Sequence, residues 1–223
     1  MLSFSLAEVA SLVGGTLTGA REQGDERITG DVVIDSRAVA SGSLFVALPG
    51  ERVDGHDYAV AAVGAGAVGV LASRPLGVPT VVVDDTVVAL GRLARAVLDR
   101  LRELTVVGLT GSSGKTSTKD LLAQVLIARG PTVAPAGSFN NEIGLPLTAL
   151  RCDASTRYLV AEMGARGAGH IAALCAIAPP TIGLVLNVGA AHLGEFGTRQ
   201  LIAAAKGELV EALPPDGAAV LNA

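Results

Sequence analysis

One stretch decides the fold of this chain: Val106-Val107-Gly108-Leu109-Thr110-Gly111-Ser112-Ser113-Gly114-Lys115-Thr116-Ser117-Thr118. It begins as an apolar, β-branched run, which is typical of a buried strand. It then turns through a loop rich in glycine and serine and ends at the start of a helical pattern. This order predicts a phosphate site, because backbone N–H groups and the dipole of a helix N-terminus both favour an anion there.

The loop is similar to the P-loop that binds ATP. In that motif the lysine reaches the β- and γ-phosphates and the next hydroxyl ligates Mg²⁺, and here these residues are Lys115 and Thr116. Leu109 stands where the common motif has its first glycine, so a chance glycine loop is the alternative. The predicted ATP-binding residues are Thr110, Gly111, Ser112, Ser113, Gly114, Lys115, Thr116 and Ser117.

Composition excludes several classes of protein. The 223 residues carry a net charge of -4 and no basic stripe, which argues against nucleic acid as a partner. The N-terminus has no basic region of a secretory signal, and the long apolar run over 171–191 is broken by Pro179-Pro180, so we expect no membrane contact. Cys152 and Cys175 lack metal-ligand spacing, which predicts reduced, buried thiols in a cytoplasmic protein.

Strands that alternate with helices predict a small α/β domain over residues 1–103. Its predicted helices are Phe4–Val13, with Ser5 or Ser3 as N-cap, Tyr58–Ala65 and Thr86–Leu101. Its predicted strands are Val32–Ile34, Ser43–Leu48, Val68–Ala72 and Thr80–Val83. Polar clusters follow two strands, Asp35-Ser36-Arg37 and Asp54-Gly55-His56, and they indicate either a ligand site or ordinary turn chemistry.

Residues 104–223 predict a second α/β domain with a P-loop and a mostly parallel sheet. After the loop, a helix over Ser117–Arg129 is expected to turn Leu121, Leu122, Val125 and Leu126 inward. The predicted strands are the apolar run that begins at Val106, Thr132–Ala134, Tyr158–Ala161, Thr181–Leu186 and Ala218–Leu221, and the later helices are His170–Ala178 and Gln200–Leu213.

Thr116, Glu162 and His192 all follow carboxyl ends of these strands, the edge where parallel sheets bind ligands. A carboxylate in the position of Glu162 holds Mg²⁺ in P-loop folds. Asn140 and Asn141 indicate either contact with phosphate or substrate, or an asparagine-rich turn. Taken alone, Lys206 is typical of a solvated helix residue.

As a set, the chain resembles the Mur ligases of peptidoglycan synthesis over nearly its whole length. The motifs are Asp35-Ser36-Arg37, Leu44-Phe45-Val46-Ala47-Leu48, Asp54-Gly55-His56, the loop 110–116, Asn140-Asn141-Glu142-Ile143-Gly144-Leu145-Pro146, Glu162-Met163-Gly164, Asn187-Val188-Gly189, Ala191-His192-Leu193 and Ala205-Lys206-Gly207-Glu208. Two of them favour the member that adds D-alanyl-D-alanine to UDP-MurNAc-tripeptide. The alternative is the member that adds meso-diaminopimelate or lysine to UDP-MurNAc-dipeptide.

The resemblance implies an ATP-dependent ligase that forms an acyl phosphate, uses Mg²⁺ and acts as a monomer. It implies catalytic roles for Lys115, Glu162, His192 and Lys206, and metal ligation by Thr116, Glu162, His192 and a carbamylated Lys206. It implies substrate binding by Ser36, Arg37, His56, Asn140 and Asn141, with the UDP-sugar held by the first domain.

Mur ligases have a longer central domain and a third domain, so we expect this sequence to be a truncated fragment that does not complete ligation alone. Two other classes compete with this interpretation. A GTPase switch is disfavoured because the chain lacks an Asn-Lys-x-Asp motif. A non-catalytic module that binds UDP-sugar and ATP stays open.

Overall fold

The computed structural model describes residues 2–19, 25–50, 53–189 and 198–222. The chain divides into two compact units, Met1–Val97 and Leu98–Ala223. Each unit combines helices with a largely parallel sheet, which confirms the predicted α/β class. The assignment of substrate binding to residues 1–103 and of ATP binding to residues 104–223 stays a prediction.

The first unit is built on a five-stranded sheet in the order β2-β7-β6-β5-β4, in which only β2 runs antiparallel to its neighbour. A separate antiparallel pair joins β1 to β3. The strands are β1 Phe4–Ser5, β2 Thr16–Thr18, β3 Arg27–Ile28, β4 Val32–Val33, β5 Leu44–Val46, β6 Gly69–Ala72 and β7 Thr80–Val82. The helices are α1 Leu6–Val13, α2 Ala59–Gly64 and α3 Thr86–Asp99, and short 3-10 turns cover Ser36–Ala38 and Gly55–Tyr58.

Helix α1 begins at Leu6 and not at Phe4, because Ser5 is its N-cap and Phe4 pairs with Ile28 in a short sheet. The Ser5 hydroxyl accepts from the Glu8 N–H at 3.1 Å, and the Glu8 carboxylate accepts from the Ser5 N–H at 2.7 Å. This reciprocal capping box satisfies two backbone donors that a helix start otherwise leaves without partners. The predicted N-cap is therefore confirmed at Ser5, and the predicted helix started two residues too early.

The second unit contains a fully parallel sheet in the order β12-β11-β8-β10-β9. The strands are β8 Thr105–Thr110, β9 Thr132–Val133, β10 Tyr158–Glu162, β11 Ile182–Val185 and β12 Ala218–Leu221. The helices are α4 Lys115–Ile127, α5 Gly144–Ala149, α6 His170–Ile177 and α7 Arg199–Glu211. Glu162 lies opposite Leu109 in the register, so the end of β10 lies beside the start of the loop after β8.

Helix α7 approaches the sheet closely where two neighbouring strands both carry glycine. Gly108 and Gly183 are paired across β8 and β11. A Cβ on Gly108 would lie 2.9 Å from Leu209, and a Cβ on Gly183 would lie 3.3 Å from the same side chain. Leu209 is fully buried on this pair, so the two glycines set how near α7 lies to the sheet.

The prediction of the inward face of α4 is wrong in part. Leu121 and Val125 are each 64% exposed, whereas Lys119, on the same helix, is only 2% exposed. Lys119 is held inside because its ammonium donates to the Asp120 carboxylate at 2.5 Å and to the Pro135 carbonyl at 2.9 Å. The spacing of apolar residues alone could not show that Lys119 is buried while Leu121 and Val125 are exposed.

Both cysteines are free and buried, as predicted. Burial raises the pKa of the Cys152 thiol and of the Cys175 thiol to about 12, so neither is a thiolate near neutral pH. Over the part of the chain that the structure describes, no helix is both long and apolar enough to span a bilayer.

We predict that Ser5→Ala lowers the free energy of unfolding of the first unit by about 1 kcal/mol, because the Glu8 N–H loses its acceptor. Urea denaturation followed by circular dichroism measures the change. Ser11→Ala is the matched control, since Ser11 is exposed in the interior of the same helix. An equal loss in both variants would contradict the capping role.

Candidate functional site

The candidate site lies at the carboxyl edge of the parallel sheet in the second unit. Strand β8 ends at Thr110, and residues 111–114 lead into α4, whose first residue is Lys115. Gly114 has a positive φ of 79°, a conformation that glycine adopts without strain. The Lys115 ammonium donates to the Gly111 carbonyl at 2.9 Å, so the side chain folds back over the loop.

Asn187, two residues beyond β11, holds this loop in place. Its side-chain oxygen accepts from the N–H groups of Ser112 at 3.0 Å and Ser113 at 3.1 Å. Its amide nitrogen donates to the Ser113 carbonyl at 3.2 Å. Two loop amides therefore already point at one polar oxygen, as they would at an anion.

Glu162 is the carboxylate of the site, and it is only 1% exposed. Its Oε1 accepts from the Asn140 amide at 2.8 Å and lies 3.4 Å from the Thr116 hydroxyl. The other oxygen, Oε2, is buried and has no hydrogen-bond partner among the residues that the structure describes. Thr116 also lies 3.0 Å from the Ser138 hydroxyl, so three oxygen-bearing side chains surround this point.

Gly164 makes room for the asparagine that orients this carboxylate. A Cβ on Gly164 would lie 2.9 Å from the Asn140 side-chain oxygen. The Gly164 N–H donates to the Asn140 carbonyl at 2.9 Å, so the glycine also anchors the asparagine backbone. The Glu162-Met163-Gly164 motif thus combines the ligand with the space that its partner needs.

These residues fit a magnesium ion. A buried carboxylate oxygen without a partner calls for a cation, and Mg²⁺ binds one or two protein oxygens while phosphates and waters complete its shell. Glu162 and Thr116 would supply those oxygens. Within the described ranges there is no group of three or more His, Cys, Asp or Glu side chains that could hold a metal.

Lys206 lies on α7 and lines the same site. From its sequence position alone it was expected to be a solvated helix residue. It is only 5% exposed, and its pKa is lowered to about 8 by burial first and by the nearby positive charge of Lys115 second. It faces a cavity of about 490 Å³, called here the large cavity, whose lining includes Lys115, Ser138, Glu142, Arg166, His170 and Lys206. A second cavity of about 230 Å³ is lined by Thr116, Ser138, Asn140 and Glu162.

Other predicted site residues have structural partners. The Asn141 side chain accepts from the Gly144 N–H at 2.9 Å, which is turn chemistry at the start of α5. Arg37 pairs with Asp35, and its guanidinium lowers the pKa of that carboxyl to about 2. His56 is buried between Asp54 and Ser73, with both ring nitrogens bonded. Substrate binding by Asn141, Ser36, Arg37 and His56 stays a prediction.

His192, predicted to be a metal ligand, lies outside the described residues. Three residues that carry the geometry of the site were given no role from the sequence, namely Ser138, Asn187 and Arg166. Asn187 had the strongest sequence signal, because it follows a buried strand at the edge where the P-loop lies. Ser138 and Arg166 are exposed loop residues without a distinguishing pattern.

Comparison with known proteins agrees with this geometry. The model of the Mur ligase middle domain matches residues 109–223, and that of the Mur ligase family catalytic domain matches residues 30–98. The chain therefore belongs to the Mur ligase family.

Individual relatives add detail. The UDP-N-acetylmuramoyl-tripeptide–D-alanyl-D-alanine ligase of Mycobacterium bovis is 51% identical over all of this chain and 49% of its own length. MurF from Acinetobacter baumannii superposes with a TM-score of 0.90 at 34% identity over 99% of this chain and 49% of its own. MurF from Thermotoga maritima, in complex with ADP, superposes with a TM-score of 0.79 at 40% identity. The match covers 87% of this chain and 46% of that one. The chain spans about half the length of the curated relatives it matches.

We predict that Asn187→Ala speeds hydrogen exchange at the Ser113 amide by about fivefold or more, because its acceptor is lost. The Ser112 amide should respond less, since it keeps the Asn187 carbonyl at 3.2 Å. Amide exchange followed by NMR measures both. Asn141→Ala, which removes an acceptor from other amides, is the control and should leave Ser112 and Ser113 unchanged.

Proposed function

We propose that this chain forms the UDP-sugar-binding and ATP-binding part of a ligase that adds D-alanyl-D-alanine to UDP-MurNAc-tripeptide. The Mycobacterium bovis relative, at 51% identity, carries the name of that activity. The observation that carries the proposal is the buried Glu162 carboxylate, which lies beside the P-loop: its Oε1 is 3.4 Å from the Thr116 hydroxyl, and its Oε2 has no partner among the described residues. Monomeric state and cytoplasmic location stay predictions from the resemblance.

The proposed reaction has two steps. In the first, the C-terminal carboxylate of the tripeptide attacks the γ-phosphorus of ATP, the bond to the β-phosphate oxygen breaks, and ADP leaves. In the second, the amine of D-alanyl-D-alanine attacks the acyl carbon, phosphate leaves, and the amine loses its proton as the amide forms. Both partners in the first step are anions, so positive charge must hold them together.

The chain supplies that charge from two directions. Lys115, at the start of α4, would leave the Gly111 carbonyl and reach the β- and γ-phosphates. Thr116 and Glu162 would hold Mg²⁺, which when bound screens the triphosphate charge. Asn140 keeps Glu162 oriented, because its amide occupies the carboxylate oxygen that faces it.

Lys206 would be carbamylated, with His192 and Glu162 sharing a second Mg²⁺. Carbamylation needs a neutral amine, and burial together with the charge of Lys115 lowers the pKa of Lys206 to about 8. At slightly alkaline pH a large fraction of this lysine is therefore neutral and can add CO₂, losing a proton as the N–C bond forms. The product is an anion, which suits a buried position beside a metal.

The first test is ATP binding. Lys115→Ala should weaken Mg²⁺-dependent ATP binding by about ten- to hundredfold, because it removes the charged partner of the phosphates. Isothermal titration calorimetry measures this directly. Arg129→Ala, just beyond the far end of α4, removes the same charge and should bind ATP as the parent chain does. Equal binding by all three proteins would mean that the loop is not the nucleotide site.

The second test is the carbamate. With ¹³C-labelled bicarbonate, the ¹³C NMR spectrum should show one carbamate signal that Lys206→Arg abolishes and Lys115→Arg retains. At fixed dissolved CO₂ the signal should grow as the pH rises through about 8, since only the neutral amine reacts. A signal that survives in Lys206→Arg, or none in the parent chain, would exclude this role for Lys206.

A further inference from the structure

Lys119 is a buried cation that neither step of the proposed reaction uses. It lies on α4, one helical turn after the P-loop lysine Lys115, and it is only 2% exposed. Lys119 is not among the described residues that line the large cavity or the smaller cavity beside it. The side chain therefore does not reach a ligand in either cavity, and its burial has another cause.

The Lys119 ammonium holds a backbone carbonyl in the segment between β9 and α5. It donates to the Pro135 carbonyl at 2.9 Å and to the Asp120 carboxylate at 2.5 Å. Pro135 is buried, whereas the Asp120 side chain is 58% exposed. Burying an ammonium costs free energy that an apolar side chain of the same size would not cost. What the lysine adds in return is its contact with the buried Pro135 carbonyl.

The segment that Lys119 holds carries two residues of the candidate magnesium site. Pro135 is buried and Asn140 is half-buried, whereas the four residues between them are exposed. Ser138, one of these four, has its hydroxyl 3.0 Å from that of Thr116. The Asn140 amide donates to Glu162 Oε1 at 2.8 Å. An exposed loop has few packing contacts of its own, so the contacts at its two ends determine where these polar groups lie.

Both ends of this loop are fixed by hydrogen bonds. At the far end, the Asn140 carbonyl accepts from the Gly164 N–H at 2.9 Å. At the near end, Arg151 Nη1 donates to the Ala134 carbonyl at 3.1 Å, next to the Pro135 carbonyl that Lys119 holds. Two cations thus bind two successive carbonyls. Arg151 is exposed and Lys119 is buried, so the contact of Lys119 is the less weakened by water.

We propose that Lys119 is a positioning residue for the magnesium site, and that it acts through the Pro135 carbonyl and the loop that ends at Asn140. With this contact made, the Asn140 amide meets Glu162 Oε1 and leaves Oε2 for the cation. Without it, the loop shifts and the carboxylate loses the partner that orients it. The inference rests on the proposed function, which needs the metal, and adds a residue that pre-organises its ligand.

The test compares the 223-residue chain with Lys119→Met, which keeps nearly the length of the side chain and removes its three N–H donors. Asp120→Asn is the matched control, because it removes the charge that pairs with Lys119 and leaves the Pro135 carbonyl its donor. The nucleotide analogue AMP-PNP is titrated by calorimetry with and without Mg²⁺. The ratio of the two dissociation constants measures how much the metal contributes to binding.

In Lys119→Met the contribution of Mg²⁺ should fall about tenfold, the lower end of what the loss of an outer partner of a metal ligand costs. Without Mg²⁺, AMP-PNP should bind as it does to the parent chain, because Lys115 is unchanged. Asp120→Asn should keep the parent ratio. Asn140→Ala should lower the ratio too, and adding Lys119→Met to it should cause no further fall, because both substitutions break the same link to Glu162.

Amide hydrogen exchange followed by NMR gives a second readout that needs no ligand. The Gly164 amide, which is bonded to the Asn140 carbonyl, should exchange about fivefold faster or more in Lys119→Met. The neighbouring Met163 amide donates to the Leu109 carbonyl at 2.9 Å and should keep its rate. A general loss of stability would accelerate both amides, so the two rates separate positioning from a merely structural role.

An unchanged Mg²⁺ ratio in Lys119→Met, or equal acceleration of both amides, would overturn the inference and leave the proposed function intact. If the parent chain binds AMP-PNP equally with and without Mg²⁺, the metal site is absent, and the proposed function and the inference both fall. The parent titration thus separates the two failures.

A second variant covers the case in which Lys119→Met does not fold. Arg151→Met removes the donor to the neighbouring Ala134 carbonyl, and Arg151 is exposed, so its replacement should not disturb folding. The Mg²⁺ ratio should then fall by about threefold, as expected for the loss of one hydrogen bond that holds the same loop. No fall in this variant would overturn the inference.

Discussion

The structure of the second unit depends on one buried carboxylate, Glu162, that is only half satisfied. Burying a charge costs several kcal/mol unless partners replace its water, and Asn140 and Thr116 replace it at Oε1 only. At Oε2 no described residue replaces the lost water, so the burial of this oxygen destabilises the unit. This arrangement also requires glycine at position 164, because a side chain there would collide with Asn140. A cation at this point would turn a destabilising feature into a stabilising one, so folding and metal binding are linked here.

The distribution of lysine supports the same conclusion. The sequence has three lysines, Lys115, Lys119 and Lys206, and every other basic side chain apart from histidine is arginine. All three belong to the P-loop, its helix or the wall of the large cavity. Lysine differs from arginine in that it can lose its proton when buried, and it presents a compact charge. Lys115 and Lys206 therefore stand where a compact charge near phosphate or a neutral amine is useful, whereas Lys119 is paired with Asp120 and the Pro135 carbonyl.

Features set by neighbouring residues, such as the P-loop after its strand, could be predicted from the sequence. Contacts between segments that are distant in the sequence could not. The P-loop and Glu162 each follow a buried strand directly, so strand order places them at one edge. The short strands Thr16–Thr18 and Arg27–Ile28 were missed, because two or three residues show no period. The burial of Lys206 was not predicted, since it depends on how α7 packs on the sheet, where Leu209 lies on the paired Gly108 and Gly183. Leu121 was predicted inward because apolar spacing cannot identify which face of a helix meets the sheet.

Helix α7 links the two sides of the site more directly than any loop does. Leu209 rests on the glycine pair of β8 and β11, which fixes the height of the helix above the sheet. One turn earlier, Lys206 lines the large cavity, and Glu208 accepts from backbone N–H groups at the start of α6. Lys206 and the start of α6 are thus both positioned by one helix. A larger residue at Gly183 would displace α7, and with it both Lys206 and the carboxylate that supports the start of α6.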